Sequence, residues 1–393
     1  MFVPSHPLPY GRQHISDADV AAVVETLRSD FLTQGPKVAE FEVAFAAYVG
    51  AQHAIAVTNG TAALHLCALA LGVQPGQRVI TTPITFAASA NCVRYCGGEV
   101  HFVDIDPATG LLDLKAVRKL LAAHPKSHFT GLIPVDFAGL AVNMEEARVL
   151  ADEFGLWLIE DACHAPGGFF VDSQGQERRC GGGQLAELAI FSFHPVKHIA
   201  TGEGGMITTN DAALAGHLRR LRTHGIEREA TGLLRQDEGG WYMEMQELGY
   251  NYRISDINCA LGLSQLGRAD EGLARRRQLA AHYDAAFAQL PGVEVLAPGR
   301  PGHAYHLYII QVANRRGLYE FLRTKNILAQ VHYVPVHRMP YYEKLGWQAG
   351  DFPHAEAYYS RCLSLPLYPT LTDEEQAYVV DCVREFLAHN PTA

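Results

Sequence analysis

The stretch FSFHPVKHIATGEGG, residues 191–205, sets one lysine, Lys197, among aromatic, small and hydroxyl side chains. Burial among such neighbours disfavours the ammonium form and lowers a lysine's pKa. A neutral amine can attack a carbonyl and form a Schiff base. A cofactor aldehyde that uses such a lysine also needs a carboxylate near its ring nitrogen and an anion site for its phosphate. Asp161 closes the apolar run LWLIED and can supply the carboxylate, although an aspartate there also suits a helix N-cap. The turn TNGTAAL, residues 58–64, ends a strand and opens a helix. The N–H groups of such a helix start bind phosphate, and Gly60 permits close approach. Thr61 and Ser192, the latter five residues before the lysine, add hydroxyls. Phe86 in TTPITFAASAN could stack on a ring face, and His164, three residues past Asp161, could bond a ring hydroxyl. Each of these residues alone fits an ordinary structural role. Their joint order and spacing point to pyridoxal 5′-phosphate.

The elements that would hold these residues follow from the hydrophobic pattern. AIAVT (54–58), RVITTP (78–83), EVHFVDI (99–105), TGLIPVDFAG (130–139), LWLIED (156–161), LAIFSF (188–193) and GMITTN (205–210) read as strands. Helix-patterned stretches separate them, among them TAALHLCALALG, FAASANCVRYCG, DLKAVRKLLAAH and NMEEARVLADEFG. Continuous apolar strands between amphipathic helices predict a parallel sheet covered on both faces, with ligands beyond the carboxyl ends of the strands. The polar segment EREATGLLRQDEGGWYMEMQE reads as a long loop. DINCALGLSQLGRADEGLARRRQLAAHYDAAFAQL then reads as one or two long helices. A smaller α+β unit follows, with YHLYIIQV (305–312) and ILAQVHYVPV (327–336) as strands and DEEQAYVVDCVREFLAHN as the closing helix.

Composition narrows the function classes. The chain has 393 residues, 48% hydrophobic and 19% charged, which suits one large domain and a smaller one. Its formal net charge of -10 and the lack of any basic run longer than RRR at 275–277 argue against a nucleic-acid partner. No apolar window of about 18 residues predicts a membrane span, and MFVPSHPLPYGRQ lacks the pattern of a signal peptide, so a cytoplasmic location is expected. The eight cysteines are scattered without a CxxC pair, and the nineteen histidines show no HExxH-like spacing. Reduced thiols and no metal site are expected.

The motifs FLTQGPKVAEFE, TNGTAALHL, TTPITFAASAN, LIEDACHAPGG, FSFHPVKHIATGEGGMITTN, LGYNYRISDINCALGLSQL and AQVHYVPVHRMPYY run in this order over residues 30–342. Together they resemble the nucleotide-sugar aminotransferases, fold type I pyridoxal-phosphate enzymes of the aspartate aminotransferase superfamily. The resemblance implies an α/β fold. A large cofactor-binding domain over 15–250, its mostly parallel mixed sheet flanked by helices, would precede a smaller α+β domain over 251–393 that includes the long connecting helix. It implies Lys197 as the Schiff-base lysine and proton shuttle, with pyridoxamine phosphate arising between the two half-reactions. It assigns Asp161 to the pyridine nitrogen and Gly60, Thr61 and Ser192 to the phosphate. Phe86 would stack on the ring, and His164 would orient the ring hydroxyl. Asn251 in GYNYR would reach the neighbouring subunit's site in a homodimer with shared sites. Tyr10, the segment Asp30, Phe31, Leu32, Thr33 and the segment Gln330, Val331, His332, Tyr333 resemble sugar-nucleotide contacts. No position can be assigned to an arginine that clamps an amino acid's carboxylate.

Within the family, LPYGRQ, SDFLTQGPKVAEFE, FSFHPVKHIATGEGG and ILAQVHYVPVHRMPYY look most like the branch serving pseudaminic acid synthesis. That branch moves the amino group of L-glutamate to C4 of UDP-4-keto-6-deoxy-N-acetyl-L-altrosamine. His198 stands where the branch usually carries proline. Amination of another nucleotide-linked keto sugar is the alternative reading. A sugar dehydratase of the same fold would carry histidine in place of Lys197. A cofactor-sensing transcription regulator would need a DNA-binding module before residue 15. A nicotinamide-linked oxidoreductase would need GxGxxG after a strand, whereas GEGG precedes one.

Overall fold

Seven strands form the central sheet: β1 His53–Val57, β2 Arg78–Thr81, β3 Glu99–Phe102, β4 Gly131–Ile133, β5 Trp157–Asp161, β6 Leu188–Ser192 and β7 Gly205–Thr209. The structure is a computed structural model that describes residues 4–235 and 237–390. The strand order is β1-β7-β6-β5-β4-β2-β3. Every pairing is parallel except those of β7, which runs antiparallel to both neighbours. That reversal puts Gly205, the first residue of β7, opposite both Val57 and Ser192. The end of β1, the end of β6 and the start of β7 therefore meet at one edge, with Asp161 closing β5 beside them. A Cβ at Gly205 would lie 2.6 Å from the Asn59 carbonyl carbon and oxygen, so only glycine admits the Asn59 turn there.

Side chains alternate across the strands as the pleat requires. Ile55, Val57, Ile190 and Ile207 face one way and pack under α3 (Gly60–Ala70), α4 (Ala88–Tyr95) and α7 (Ala212–Leu221). Ala54, Ala56, Phe191 and Met206 face the other way, against Phe41 and Phe45 of α2 (Pro36–Val49) and Cys259 of α8 (Asp256–Leu266). Burying an isoleucine or phenylalanine side chain contributes roughly 1.5–3 kcal/mol. Truncating the fully buried Phe41 to alanine should cost about 3–5 kcal/mol. Helix starts carry matching caps. Asn59 Oδ1 accepts the Ala62 N–H of α3 at 2.8 Å, and Ser16 forms a capping box with Asp19 on α1 (Asp17–Leu27).

A second, antiparallel sheet joins β8 (Glu294–Val295), β9 (Tyr308–Gln311) and β10 (Cys362–Leu365). Helices α9 (Ala269–Phe287), α10 (Arg315–Thr324) and α11 (Asp373–His389) share its apolar cluster. Near the N-terminus, Leu8–Pro9 pairs in parallel with Ile327–Leu328, which brings Tyr10 beside the segment from Gln330 to Tyr333.

Several expectations change. The run ILAQVHYVPV is a strand only at Ile327–Leu328, after which Gln330 bridges Ser364 and the chain turns irregular. TGLIPVDFAG stops as a strand at Ile133, because Pro134 has no N–H for the ladder. The long helical stretch, expected as one or two helices, is two, with the break at Gly267 and Arg268. The polar stretch after residue 226 holds one short hairpin, Ile226–Glu227 with Glu244–Met245. Among the described residues no helix is long and apolar enough to cross a membrane.

Candidate active site

Lys197 lies in a tight turn just past β6. Its N–H donates to His194 O at 2.8 Å, and the next residues, Ile199 and Ala200, are buried anchors. The lysine borders an open cleft, so the residue as a whole is only half-buried. Protein atoms nevertheless crowd its amine. Burial holds the Lys197 pKa below its ordinary value, and the nearby Cys163 and Asp161 charges oppose that shift.

Asp161 projects from the end of β5 into the same cleft and is 4% exposed. Ser89 Oγ donates to its Oδ2 at 2.6 Å, and the Cys163 N–H donates to its Oδ1 at 3.2 Å. The next turn brings in His164, also buried. The Ala138 N–H donates to His164 Nδ1 at 3.2 Å. The ring proton therefore sits on Nε2, which faces Tyr333 Oη at 3.1 Å. Burial, followed by the Lys197 charge, pushes the His164 pKa well below its ordinary value, so the ring is neutral. With His164 Nε2 donating to Tyr333, the tyrosine's own hydroxyl hydrogen is free to turn into the cleft.

The first turn of α3 forms the far end. The N–H groups of Gly60 and Thr61 belong to the first-turn donors that no helical carbonyl can reach. Ser192 lies against Gly60: a Cβ on Gly60 would meet Ser192 Cβ at 3.0 Å and Oγ at 3.3 Å. Phe86, at the start of the α4 turn, keeps 62% of its surface exposed although it borders the cleft. An uncovered aromatic ring beside a carboxylate and an amine is a surface ready for a flat ligand.

Tyr10, Gln330, Val331, His332 and Tyr333 also line the cleft. Tyr10 and His332 make ring contact at 4.7 Å, and Ser364 Oγ meets His332 Nδ1 at 2.9 Å. Burial pushes His332 down to about 3. Five anticipated residues do not line this chain's cleft. Asn251 pairs with Thr223 at the surface. Asp30, Phe31, Leu32 and Thr33 sit on an exposed turn beside α8, where Thr33 bridges Ser255 and Leu32 O accepts the Asp256 N–H at 3.0 Å.

The sequence reading missed Thr85, Ser89, Tyr252 and His306, all of which line the cleft. Ser89 carried a usable signal, because it falls one helical turn after Phe86 in TTPITFAASAN. His306 carried none, since YHLYIIQV reads simply as a strand. No arginine lines the cleft among the described residues.

In one continuous space of about 990 Å³ the chain thus presents an amine, a buried carboxylate, a helix N-terminus with a glycine cradle, and a bare aromatic ring. These groups match the aldehyde, ring nitrogen, phosphate and ring face of pyridoxal phosphate, so the residues present fit that cofactor.

Known proteins resemble the chain over nearly its whole length. Residues 13–384 match the model of the DegT/DnrJ/EryC1/StrS aminotransferase family. The chain is 40% identical to the spore coat polysaccharide biosynthesis protein SpsC of Bacillus subtilis, over 98% of each chain. It is 35% identical to the UDP-4-amino-4,6-dideoxy-N-acetyl-beta-L-altrosamine transaminase of Campylobacter jejuni, over 97% of each. Among solved structures, Helicobacter pylori PseC, an aminotransferase involved in the biosynthesis of pseudoaminic acid, superposes with a TM-score of 0.87 at 30% identity. That match covers 98% of this chain and 100% of the other. Structures of a further similar chain are described as its PLP and PMP forms.

Proposed function

The chain belongs to the DegT/DnrJ/EryC1/StrS aminotransferase family, and from that membership we propose its substrates and the role of each residue. It is a sugar-nucleotide aminotransferase that depends on pyridoxal phosphate. The proposed reaction moves the amino group of L-glutamate to C4 of UDP-4-keto-6-deoxy-N-acetyl-L-altrosamine and releases 2-oxoglutarate. The observation that carries the reading is the Lys197 amine, kept short of its ordinary basicity by burial, in one cleft with Asp161 and the first turn of α3. The name of the 35% identical relative supports the choice of sugar.

When bound, pyridoxal phosphate supplies an electron sink for the charge left on a carbon that loses its proton. The protein does the rest. The Gly60 and Thr61 N–H groups and Ser192 Oγ hold the phosphate. Asp161 keeps a proton on the ring nitrogen. Phe86 covers one ring face and keeps water from it. Neutral His164 holds Tyr333 in place, and the pair orients the ring hydroxyl. Lys197, as a neutral amine, takes the α-proton of glutamate in the first half-reaction and returns a proton to sugar C4 in the second. Proton transfer by a positioned amine contributes about 10²–10⁴-fold. Tyr10 and the segment from Gln330 to Tyr333 receive the sugar nucleotide.

The working unit in this reading is a homodimer with shared sites. Asn251 and the segment from Asp30 to Thr33, which stand outside their own chain's cleft, serve the partner's. The exposed Phe31, Leu32, Trp241 and Leu248 support an apolar contact between copies. A panel of UDP-, GDP- and dTDP-linked keto sugars, each incubated with glutamate and followed by mass spectrometry, tests the reaction. Conversion of the UDP-altrosamine derivative alone supports the proposal. Conversion confined to another nucleotide sugar overturns the choice of sugar.

A further inference from the structure

We infer that Thr85 and Ser89 are positioning residues that act through Asp161: two hydroxyls in series that fix the carboxylate's plane. The inference rests on the assignment of Asp161 to the cofactor's ring nitrogen made above.

Three polar side chains of the cleft lining are joined in series by hydrogen bonds. Thr85 Oγ1 is 2.7 Å from Ser89 Oγ, and Ser89 Oγ is 2.6 Å from Asp161 Oδ2. Thr85 and Ser89 are each 1% exposed and Asp161 is 4% exposed, so water does not substitute for these contacts. Each hydroxyl carries a single hydrogen, and an ionised carboxylate only accepts. If Ser89 pointed its hydrogen at Thr85, two oxygens would face each other at 2.6 Å with nothing between them. Ser89 therefore donates to Asp161, and Thr85 donates to Ser89. The competing acceptor for Ser89, the Phe86 carbonyl, is farther away at 3.3 Å. An O–H to carboxylate bond of this length is charge-assisted and about twice as strong as a neutral one. Ser89 polarised by Thr85 is a better donor still.

The carboxylate is thereby gripped from two sides. Ser89 holds Oδ2, and the Cys163 N–H holds Oδ1 at 3.2 Å. A carboxylate has about four acceptor positions, so lone pairs remain for a ligand N–H in the cleft. Helix α4 starts at Ala88 without a side-chain cap because its N-cap residue, Ala87, has no side-chain acceptor. The serine hydroxyl is committed to Asp161 across the sheet edge. The local sequence TFAAS thus supplies two functions three residues apart, Phe86 for the ring face and Ser89 for the carboxylate beneath it.

The test uses purified apo-protein of wild type, S89A, S89T, T85V and D161N. One readout is the equilibrium affinity for pyridoxal 5′-phosphate by absorbance titration. The other is the pH dependence of the bound-cofactor spectrum. Removing one donor from a buried carboxylate should weaken cofactor binding about 10-fold or more in S89A. It should also move the acid limb of the spectral titration by about one unit, because the cofactor's ring nitrogen then faces a carboxylate held by one donor fewer. T85V should change both in the same direction and by less, and S89T, which keeps the hydroxyl, should restore both. Apo-protein melting temperatures identify variants that fail to fold, and T85V then stands in for S89A. An S89A protein with wild-type affinity, or one with weaker affinity but an unmoved acid limb, overturns the inference. If D161N also leaves both readouts unchanged, the assignment of Asp161 falls with it. If D161N loses them while S89A does not, only the hydroxyl pair is refuted.

Discussion

Exchanging Asp136 for asparagine should make the protein more stable in alkaline solution and flatten its response to pH. Asp136 is 0% exposed and Glu160 6%, and with Cys180 they bring ligand atoms within 4.8 Å of one another. Asp136 Oδ1 accepts the Val142 N–H at 2.8 Å, and Glu160 Oε2 accepts the Gly181 N–H at 3.0 Å. Asp136 Oδ2 has no donor. Two carboxylates this close and this dry cannot both ionise, and a proton shared between them supplies the missing donor. Burial pushes Asp136 up to about 7. Burial, then the Asp136 charge, pushes Glu160 well above the carboxylate range. In the unfolded chain an aspartate releases its proton near pH 4. The native protein therefore binds more protons than the unfolded chain between about pH 4 and pH 7, and stability falls as pH rises through that window. About three units at 1.36 kcal/mol each amount to roughly 4 kcal/mol. About two of those units lie between pH 5 and pH 8.5, or roughly 3 kcal/mol. Asparagine keeps the acceptor for Val142, gives Glu160 a permanent donor and has no proton to lose. At about 2 cal/mol/K of unfolding entropy per residue, 393 residues convert that difference to about 3 °C. D136N should thus gain about 3 °C in Tm on wild type between pH 5 and pH 8.5, measured by differential scanning calorimetry. Parallel pH slopes for the two proteins would refute the shared proton.

Three other outcomes follow from the site. Y333F removes the acceptor for His164 Nε2–H at 3.1 Å. A buried donor left bare should lower stability by about 1–3 kcal/mol, read by urea unfolding. G60A places a methyl 3.0 Å from Ser192 Cβ, which should weaken cofactor affinity in a titration of the apo-protein while circular dichroism stays unchanged. F86A should weaken cofactor binding by about 0.5–1.5 kcal/mol, the value of an aromatic stacking pair. Its apo-protein should melt at the wild-type temperature, because that ring is already largely exposed.

The large sheet and its ligand edge are legible in the chain because each strand is a continuous apolar run with a turn signal behind it. Lys197, Asp161 and Gly60 all stand within a few residues of such a strand end, where a doubly covered sheet must open to ligands. The reversal of β7 is invisible to periodicity, since a buried strand reads the same in either direction. So is the bond between Ser89 and Asp161, which joins positions 72 residues apart and depends on how β2 and β5 are ordered in the sheet. The segment from Ile327 to Val336 misleads as a strand because its alternating apolar residues serve different partners. Ile327 enters the small-sheet core, whereas Val331 and Tyr333 turn to the cleft and Val336 packs with Phe102 and Tyr342. The turn from Asp30 to Thr33 shows the limit of motif reading from the opposite side. The motif marks it as functional, yet within one chain it faces solvent.

The central claim is that the cofactor is joined covalently to Lys197. Reduction of the cofactor-loaded protein with borohydride, then proteolysis and peptide mass mapping, tests this directly. The account predicts a phosphopyridoxyl group on the peptide that contains Lys197 and none on the same peptide of K197A. A label on a different lysine, or equal labelling of K197A, would contradict it.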